Sequence, residues 1–290
     1  MLSGVITAIV TPFLNNKVDE ESLSGLISFQ LEKGIHGIVP CGTTGESPTL
    51  SFEEYKRVVE ITVETVNKKI PVVAGAGANN TTKAVELTHC AKSLGVDATL
   101  QVVPYYNKPT QEGLFLHFKA IAEVGLPVVL YNVPGRTGID LHPGTVARLA
   151  KLPEIIAIKE ASGSITQMAE IRQHCGDQLT LLTGDDAQTL PAMCMGGEGV
   201  VSVLSNLLPQ EMVEMYRNWQ EGDTAKAIDS NAHIFPMMQA MFMEANPVPV
   251  KTAMAMKGII KSSEVRLPLC SMSDENEKEL TRIMQEAGIL

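Results

Sequence analysis

A lysine closes an otherwise apolar run, Ile155-Ile156-Ala157-Ile158-Lys159. In a strand, the side-chain period of two places Ile155, Ala157 and Lys159 on one face. If that face points into a protein interior, the ammonium is drawn from water. A free lysine titrates near pH ~10.4, so its amine is mostly protonated at neutral pH, and desolvation lowers that value by several units. A neutral amine adds to a ketone to form a Schiff base, and the resulting iminium is an electron sink that acidifies the neighbouring carbon. The plainer alternative is a lysine snorkelling from a strand end.

Other segments carry polar groups suited to the same chemistry. Gly42-Thr43-Thr44-Gly45-Glu46-Ser47 brackets two hydroxyls with glycines, so backbone N–H groups and Thr side chains can turn toward one anion, a carboxylate as readily as a phosphate. A plain Gly-rich turn with Thr caps would look the same. Tyr105 and Tyr106 are adjacent in a chain only 4% aromatic. Phenols relay protons or donate to oxyanions, although aromatics also anchor packed loops. In Tyr131-Asn132-Val133-Pro134-Gly135-Arg136-Thr137, the tyrosine falls at a predicted strand end and Arg136 follows in the loop, where a guanidinium binds a carboxylate bidentately. A surface ion pair is the commoner fate of an arginine.

Some combinations argue for ordinary structure. Gly184-Asp185-Asp186 has the paired acids of a metal site, but Asp186 also fits as the N-cap of a following helix. The six histidines show no paired ligand spacing, so no catalytic metal is expected. The five cysteines are widely spaced, with no C-x-x-C, which reads as reduced thiols in a cytosolic protein. Met237, Met238, Met241, Met243, Met254 and Met256 are expected to pack helices or an oligomer contact.

Eight short apolar runs must position these groups: Val5–Val10, Gly37–Pro40, Pro71–Gly75, Ala98–Val103, Pro127–Tyr131, Ile155–Lys159, Leu179–Thr183 and Gly199–Leu204. Near-continuous apolar runs are what parallel strands buried on both faces require. Helix signals lie between them, including capping-box patterns at Ser51-x-x-Glu54 and Ser164-x-x-Gln167 and stop signals at Gly125 and Gly176. The first strand leads into Thr11-Pro12-Phe13 with no G-x-G-x-x-G, so a doubly wound sheet fits less well than a (β/α)8 TIM barrel. After residue 222 strand signals stop, and helices are expected over about 223–243, 247–261 and 274–288. The reading is α/β: a barrel catalytic domain at 1–222 and a small C-terminal α-helical domain at 223–290.

The 290 residues carry 23 basic and 33 acidic side chains, a formal charge of −10. That balance makes nucleic-acid and anionic-membrane partners unexpected, because phosphate binding needs a basic face. No apolar run approaches the roughly 20 residues needed to span a bilayer, and the first residues resemble a strand, not a signal peptide.

Taken together the segments resemble the dihydrodipicolinate synthase / N-acetylneuraminate lyase family of class I aldolase-type barrels. The resemblance runs through Thr7-Ala8-Ile9-Val10-Thr11-Pro12, Gly42-Thr43-Thr44-Gly45-Glu46, Pro104-Tyr105-Tyr106-Asn107, Tyr131 to Gly138, Ile158-Lys159-Glu160-Ala161 and Asn246-Pro247-x-Pro249-Val250-Lys251. It implies a Schiff base between Lys159 and pyruvate, proton shuttling by Tyr131, and a relay in which Thr44 links Tyr131 to Tyr106. It further implies that Thr43 holds the pyruvate carboxylate, that Arg136 takes the carboxylate of L-aspartate 4-semialdehyde, and that Gly184 and Val201 line the pocket. Tyr106 would reach into a neighbouring subunit's site, which implies a homotetramer built as a dimer of tight dimers, cytoplasmic and without a cofactor. Arg136 favours the synthase branch, whose product is 4-hydroxy-tetrahydrodipicolinate, on the route to diaminopimelate and lysine. Feedback-inhibited members bind lysine beside the equivalents of Asn79 and Tyr105. Here Phe52, Tyr55 and Lys83 occupy the positions of the remaining contacts, so weak or absent inhibition is expected. Two other readings share some of these residues: a sugar-acid lyase with the same Lys159 and Tyr131, and a non-catalytic barrel that senses small acids.

Overall fold

The computed structural model describes residues 2–290. Along the chain, eight strands alternate with helices, which is the (β/α)8 fold class expected from the apolar runs. The strands are β1 Gly4–Ala8, β2 Gly37–Val39, β3 Val73–Gly75, β4 Ala98–Val102, β5 Val128–Asn132, β6 Ile155–Glu160, β7 Thr180–Thr183 and β8 Gly199–Ser202. Each lies within two residues of its predicted span. A further element, without a signal among the apolar runs, is a hairpin of two-residue strands, Phe13–Leu14 against Lys17–Val18, turning through Asn15 and Asn16 at positive φ.

Residues 2–3 and Pro71–Val201 form one compact unit. Its strands pair in parallel and in chain order, β3 with β4, β4 with β5, β5 with β6, β6 with β7 and β7 with β8. The helices between them are α3 Thr81–Ser93, α4 Gln111–Ala122, α5 Pro143–Leu149, α6 Ile165–Cys175 and α7 Thr189–Cys194. Val128, Leu130, Ile155, Ile158 and Leu181 from the strands pack with Leu114, Phe118, Ile121, Val146, Leu149, Met168 and Ile171 from the helices. Each such side chain taken wholly out of water contributes about 1.5–3 kcal/mol.

Gly4–Ile70 and Ser202–Leu290 form the second unit. It holds β1 paired in parallel with β2, Ile6 opposite Gly37, together with α1 Glu20–Glu32 and α2 Phe52–Val66. It also holds α8 Pro209–Gln220, α9 Thr224–Ala240, α10 Val248–Met256 and α11 Asp274–Glu286. The last three match the helices expected after residue 222. Met237, Met238, Met241 and Met254 are buried, so those methionines fill the spaces between helices.

Caps show where local signals held. Ser51 Oγ accepts from the Glu54 N–H while the Glu54 carboxylate accepts from the Ser51 N–H, a complete capping box. At α6 only half of the box forms. Ser164 Oγ accepts from the Gln167 N–H, but the Gln167 amide turns instead to Asp140, 2.9 Å away. Asp186 is not the cap expected of it. Asp185 takes that place, its carboxylate accepting from the Ala187 N–H, because the helical turn already begins at Asp186.

Candidate active site

Lys159 sits near the C-terminal end of β6, the end at which barrel enzymes place their chemistry. Only 5% of it is exposed. Its register partner across the β5–β6 ladder is Tyr131, also buried. The lysine Nζ lies 4.3 Å from the centroid of the tyrosine ring. The snorkelling alternative therefore fails: the amine turns inward over an aromatic face.

Space for the lysine chain is made by Gly184, the first residue after β7. A Cβ placed on Gly184 would lie 2.6 Å from Lys159 Cε and 2.8 Å from Ala161 Cβ. Its N–H donates to Glu160 O at 2.8 Å, which holds the glycine against β6. Val201 is buried in β8. Arg136 stands on a single helical turn, Pro134–Thr137, with its side chain exposed. The Tyr106 backbone is tied to this turn, its N–H donating to Thr137 O at 3.3 Å. Tyr106 itself is 88% exposed at φ +75°, a backbone region that side chains other than glycine seldom enter. The tyrosine loop is thus not a packed aromatic anchor.

A network that the sequence did not announce lies behind this pair. Asn132 and Glu160 are the next register partners along the same ladder, and both are fully buried. Asn132 Nδ2 donates to Asp140 at 2.6 Å and to Glu160 at 3.0 Å, while its Oδ1 accepts from the Leu141 N–H. Glu160 also accepts from the Ser162 N–H at 2.7 Å. Burial pushes the Glu160 carboxyl upward, and the hydrogen bonds from Asn132 and Ser162 oppose that shift. One asparagine thereby ties the Lys159 strand to the segment that bears Arg136.

The second unit holds Thr43 and Thr44. Thr44 is buried in the turn after β2, flanked by Cys41 and Glu46 at positive φ. Its Oγ1 accepts from Asn246 Nδ2 at 2.9 Å. Glu46 is wholly buried and paired with Lys251 of α10, Nζ to Oε1 2.7 Å. The same ammonium donates to Thr11 O at 3.0 Å, and Arg266 N–H donates to the other Glu46 oxygen at 3.0 Å. Burial pulls the Lys251 ammonium below its ordinary range and Glu46 counters it. The motif Asn246-Pro247-x-Pro249-Val250-Lys251 supplies both Asn246 and Lys251 to these contacts. Its structural meaning is that it grips the Thr43-Thr44 turn. Among the described residues no His/Cys/Asp/Glu group could hold a metal ion, and no helix is long and apolar enough to cross a membrane.

Comparison with known proteins bears on the family of the chain as a whole. The family model described as the dihydrodipicolinate synthetase family matches residues 1–287. A 4-hydroxy-tetrahydrodipicolinate synthase of Geotalea uraniireducens is 53% identical, each chain covered in full. A crystallised dihydrodipicolinate synthase is 49% identical with a TM-score of 0.97, over 99% of this chain and all of that one. The chloride-inhibited dihydrodipicolinate synthase of Acinetobacter baumannii, crystallised with pyruvate, is 42% identical with a TM-score of 0.97, both chains covered in full. This chain belongs to the dihydrodipicolinate synthetase family.

Proposed function

We propose that the protein is a lyase that condenses pyruvate with L-aspartate 4-semialdehyde to 4-hydroxy-tetrahydrodipicolinate, in diaminopimelate and lysine biosynthesis. The observation that carries this reading is the buried Lys159 amine set over the Tyr131 ring, 4.3 Å from its centroid. The Lys159 amine adds to the pyruvate keto carbon and expels water, giving an iminium. Loss of a methyl proton gives an enamine, whose carbon attacks the semialdehyde's aldehyde carbon. The semialdehyde amine then displaces Lys159 by transimination, which closes the ring and returns the free lysine. Lysine supplies both nucleophile and electron sink.

Roles follow from position and residue type. Tyr131 moves protons to and from the adduct, and Thr44 with Tyr106 extends the relay. Thr43 and the backbone N–H groups of its turn hold the pyruvate carboxylate. The exposed Arg136 takes the carboxylate of the semialdehyde. Gly184 and Val201 shape the pocket. In this reading the chemistry belongs to residues 1–222, and the helical residues 223–290 support the Thr43-Thr44 turn.

The exposed Tyr106, strained at φ +75°, supports a role in a neighbouring subunit's site, and so a homotetramer of two tight dimers. Light scattering of the purified enzyme tests the mass. Five cysteines, none of them in a disulfide, support a reducing, cytoplasmic setting, which fractionation tests.

Borohydride reduction in the presence of pyruvate tests the nucleophile: a pyruvate-derived mass on Lys159 is expected. No adduct, or one that persists in Lys159→Ala, removes the reading. Turnover in a coupled assay with aspartate semialdehyde, and not with sugar aldehydes, separates the synthase from a sugar-acid lyase.

A further inference from the structure

The Thr44 hydroxyl has a partner that the chemistry above does not use. Asn246, two residues before α10, is 202 positions away in sequence, and its Nδ2 donates to Thr44 Oγ1 at 2.9 Å. Thr44 is 2% exposed and Asn246 6%, so water does not compete for either. A hydroxyl offers one proton and two lone pairs. The amide N–H takes up a lone pair and can accept nothing in return. The Thr44 proton is left to point at some other acceptor, so the oxygen is polarised as a donor.

Further bonds tie the segment after Asn246 to the turn that bears Thr44. Just beyond Asn246, Lys251 on α10 is pinned to Glu46, two residues past Thr44, and to Thr11 O. Thr11 Oγ1 in turn donates to Gly45 O at 2.8 Å, the carbonyl next after Thr44. Meanwhile Asn246 Oδ1 is buried and has no hydrogen-bond partner among the described residues. A buried acceptor left unpaired costs stability. An apolar side chain of similar size would avoid that cost, so packing alone does not account for an amide here.

We propose that Asn246 is a positioning residue whose amide fixes the direction in which the Thr44 hydroxyl donates its proton during catalysis. This rests on the reading that Thr44 belongs to the proton path. Its signature is polarity. Asn246→Asp keeps the shape, but its carboxylate accepts the Thr44 proton and turns the hydroxyl away from its task. Asn246→Ala removes the constraint and leaves the hydroxyl free to rotate. A merely structural asparagine would order these variants the other way, with the cavity in Asn246→Ala more harmful than the near-isosteric Asn246→Asp.

Steady-state kinetics from pH 6 to 9 test this on the full-length enzyme, with Thr44→Val as reference. In Asn246→Asp, kcat is expected to fall toward the Thr44→Val level, about 10²-fold, while KM for pyruvate changes little. The loss should shrink as pH falls, because the introduced carboxyl, once protonated, can again donate. Asn246→Ala should lose less, and Thr44→Val/Asn246→Asp should be no slower than Thr44→Val alone. The proposal is overturned if Asn246→Asp keeps half or more of wild-type kcat, or if Asn246→Ala is the slower of the two at every pH. If Thr44→Val keeps wild-type kcat, the role given to Thr44 falls, and this proposal with it. Should Asn246→Asp fail to fold, the Thr44→Val/Asn246→Ala pair decides: non-additive losses support the proposal and additive losses overturn it.

Discussion

Tyr131 and Lys159 face each other across adjacent parallel strands, direct register partners in the β5–β6 ladder, with the lysine Nζ 4.3 Å from the ring centroid. The proposed nucleophile and its proton shuttle are thus set by backbone hydrogen bonds, not by flexible loops. Chemistry that needs them at fixed separation gains from that rigidity.

Removing either partner should separate their roles. Lys159→Ala is expected to lose three or more orders of magnitude in kcat and all borohydride-trapped adduct. Tyr131→Phe should still trap pyruvate but turn over about 10²–10⁴-fold more slowly. Single-turnover trapping and steady-state assays check the pair. Equal loss of trapping in both variants would refute the division.

Gly184 leaves no room for a side chain. With a Cβ 2.6 Å from Lys159 Cε, Gly184→Ala must displace the lysine or the β7 end. The overpacking is expected to cost about 1–3 kcal/mol of stability and to slow Schiff-base formation. Thermal melts and trapping rates measure both. An unchanged trapping rate would show that the site relaxes freely.

The buried Lys251–Glu46 pair should behave as a unit. Lys251→Met takes away the ammonium paired with the buried Glu46 carboxylate and leaves only the more distant Arg266 guanidinium as counter-charge, which costs up to about 3–5 kcal/mol. Adding Glu46→Gln should restore part of that loss. Denaturant titration of the three variants checks it; a mild Lys251→Met effect with no rescue contradicts the pairing.

Acid stability should depend on His117. Burial lowers its pKa to about 4, its Nδ1 meets Thr81 Oγ1 at 2.9 Å, and its Nε2 has no partner among the described residues. As pH falls from 6.5 toward 4 the unfolded chain takes up a proton that the folded chain refuses, so stability is lost across that window. The limit is about 3 kcal/mol for a shift of this size. His117→Gln should flatten the decline in melting temperature over the same window. A slope equal to wild type would assign the decline to other groups.

Lysine should inhibit weakly or not at all. Lys83 is exposed in the first turn of α3, where its ammonium repels an incoming cation. Strong inhibition at submillimolar lysine would contradict this.

Much of this was legible from the chain alone. Apolar runs of strand length and capping residues such as Ser51 act within a few positions, so the eightfold alternation and the strand that bears Lys159 could be read directly. What the tertiary structure decided were partners far apart in sequence. Nothing near Asn132 indicates that its amide joins Glu160 and Asp140, and nothing near Thr44 points to Asn246. Gln167 fits a capping box by spacing, yet its amide donates to Asp140, and the Ser164 N–H that the box would use goes to Ser162 Oγ instead. The physical reason is the same throughout. Local periodicity selects helix or strand within a turn or two of chain. A buried polar group must find its partner wherever the fold brings one, and only the folded chain says where that is.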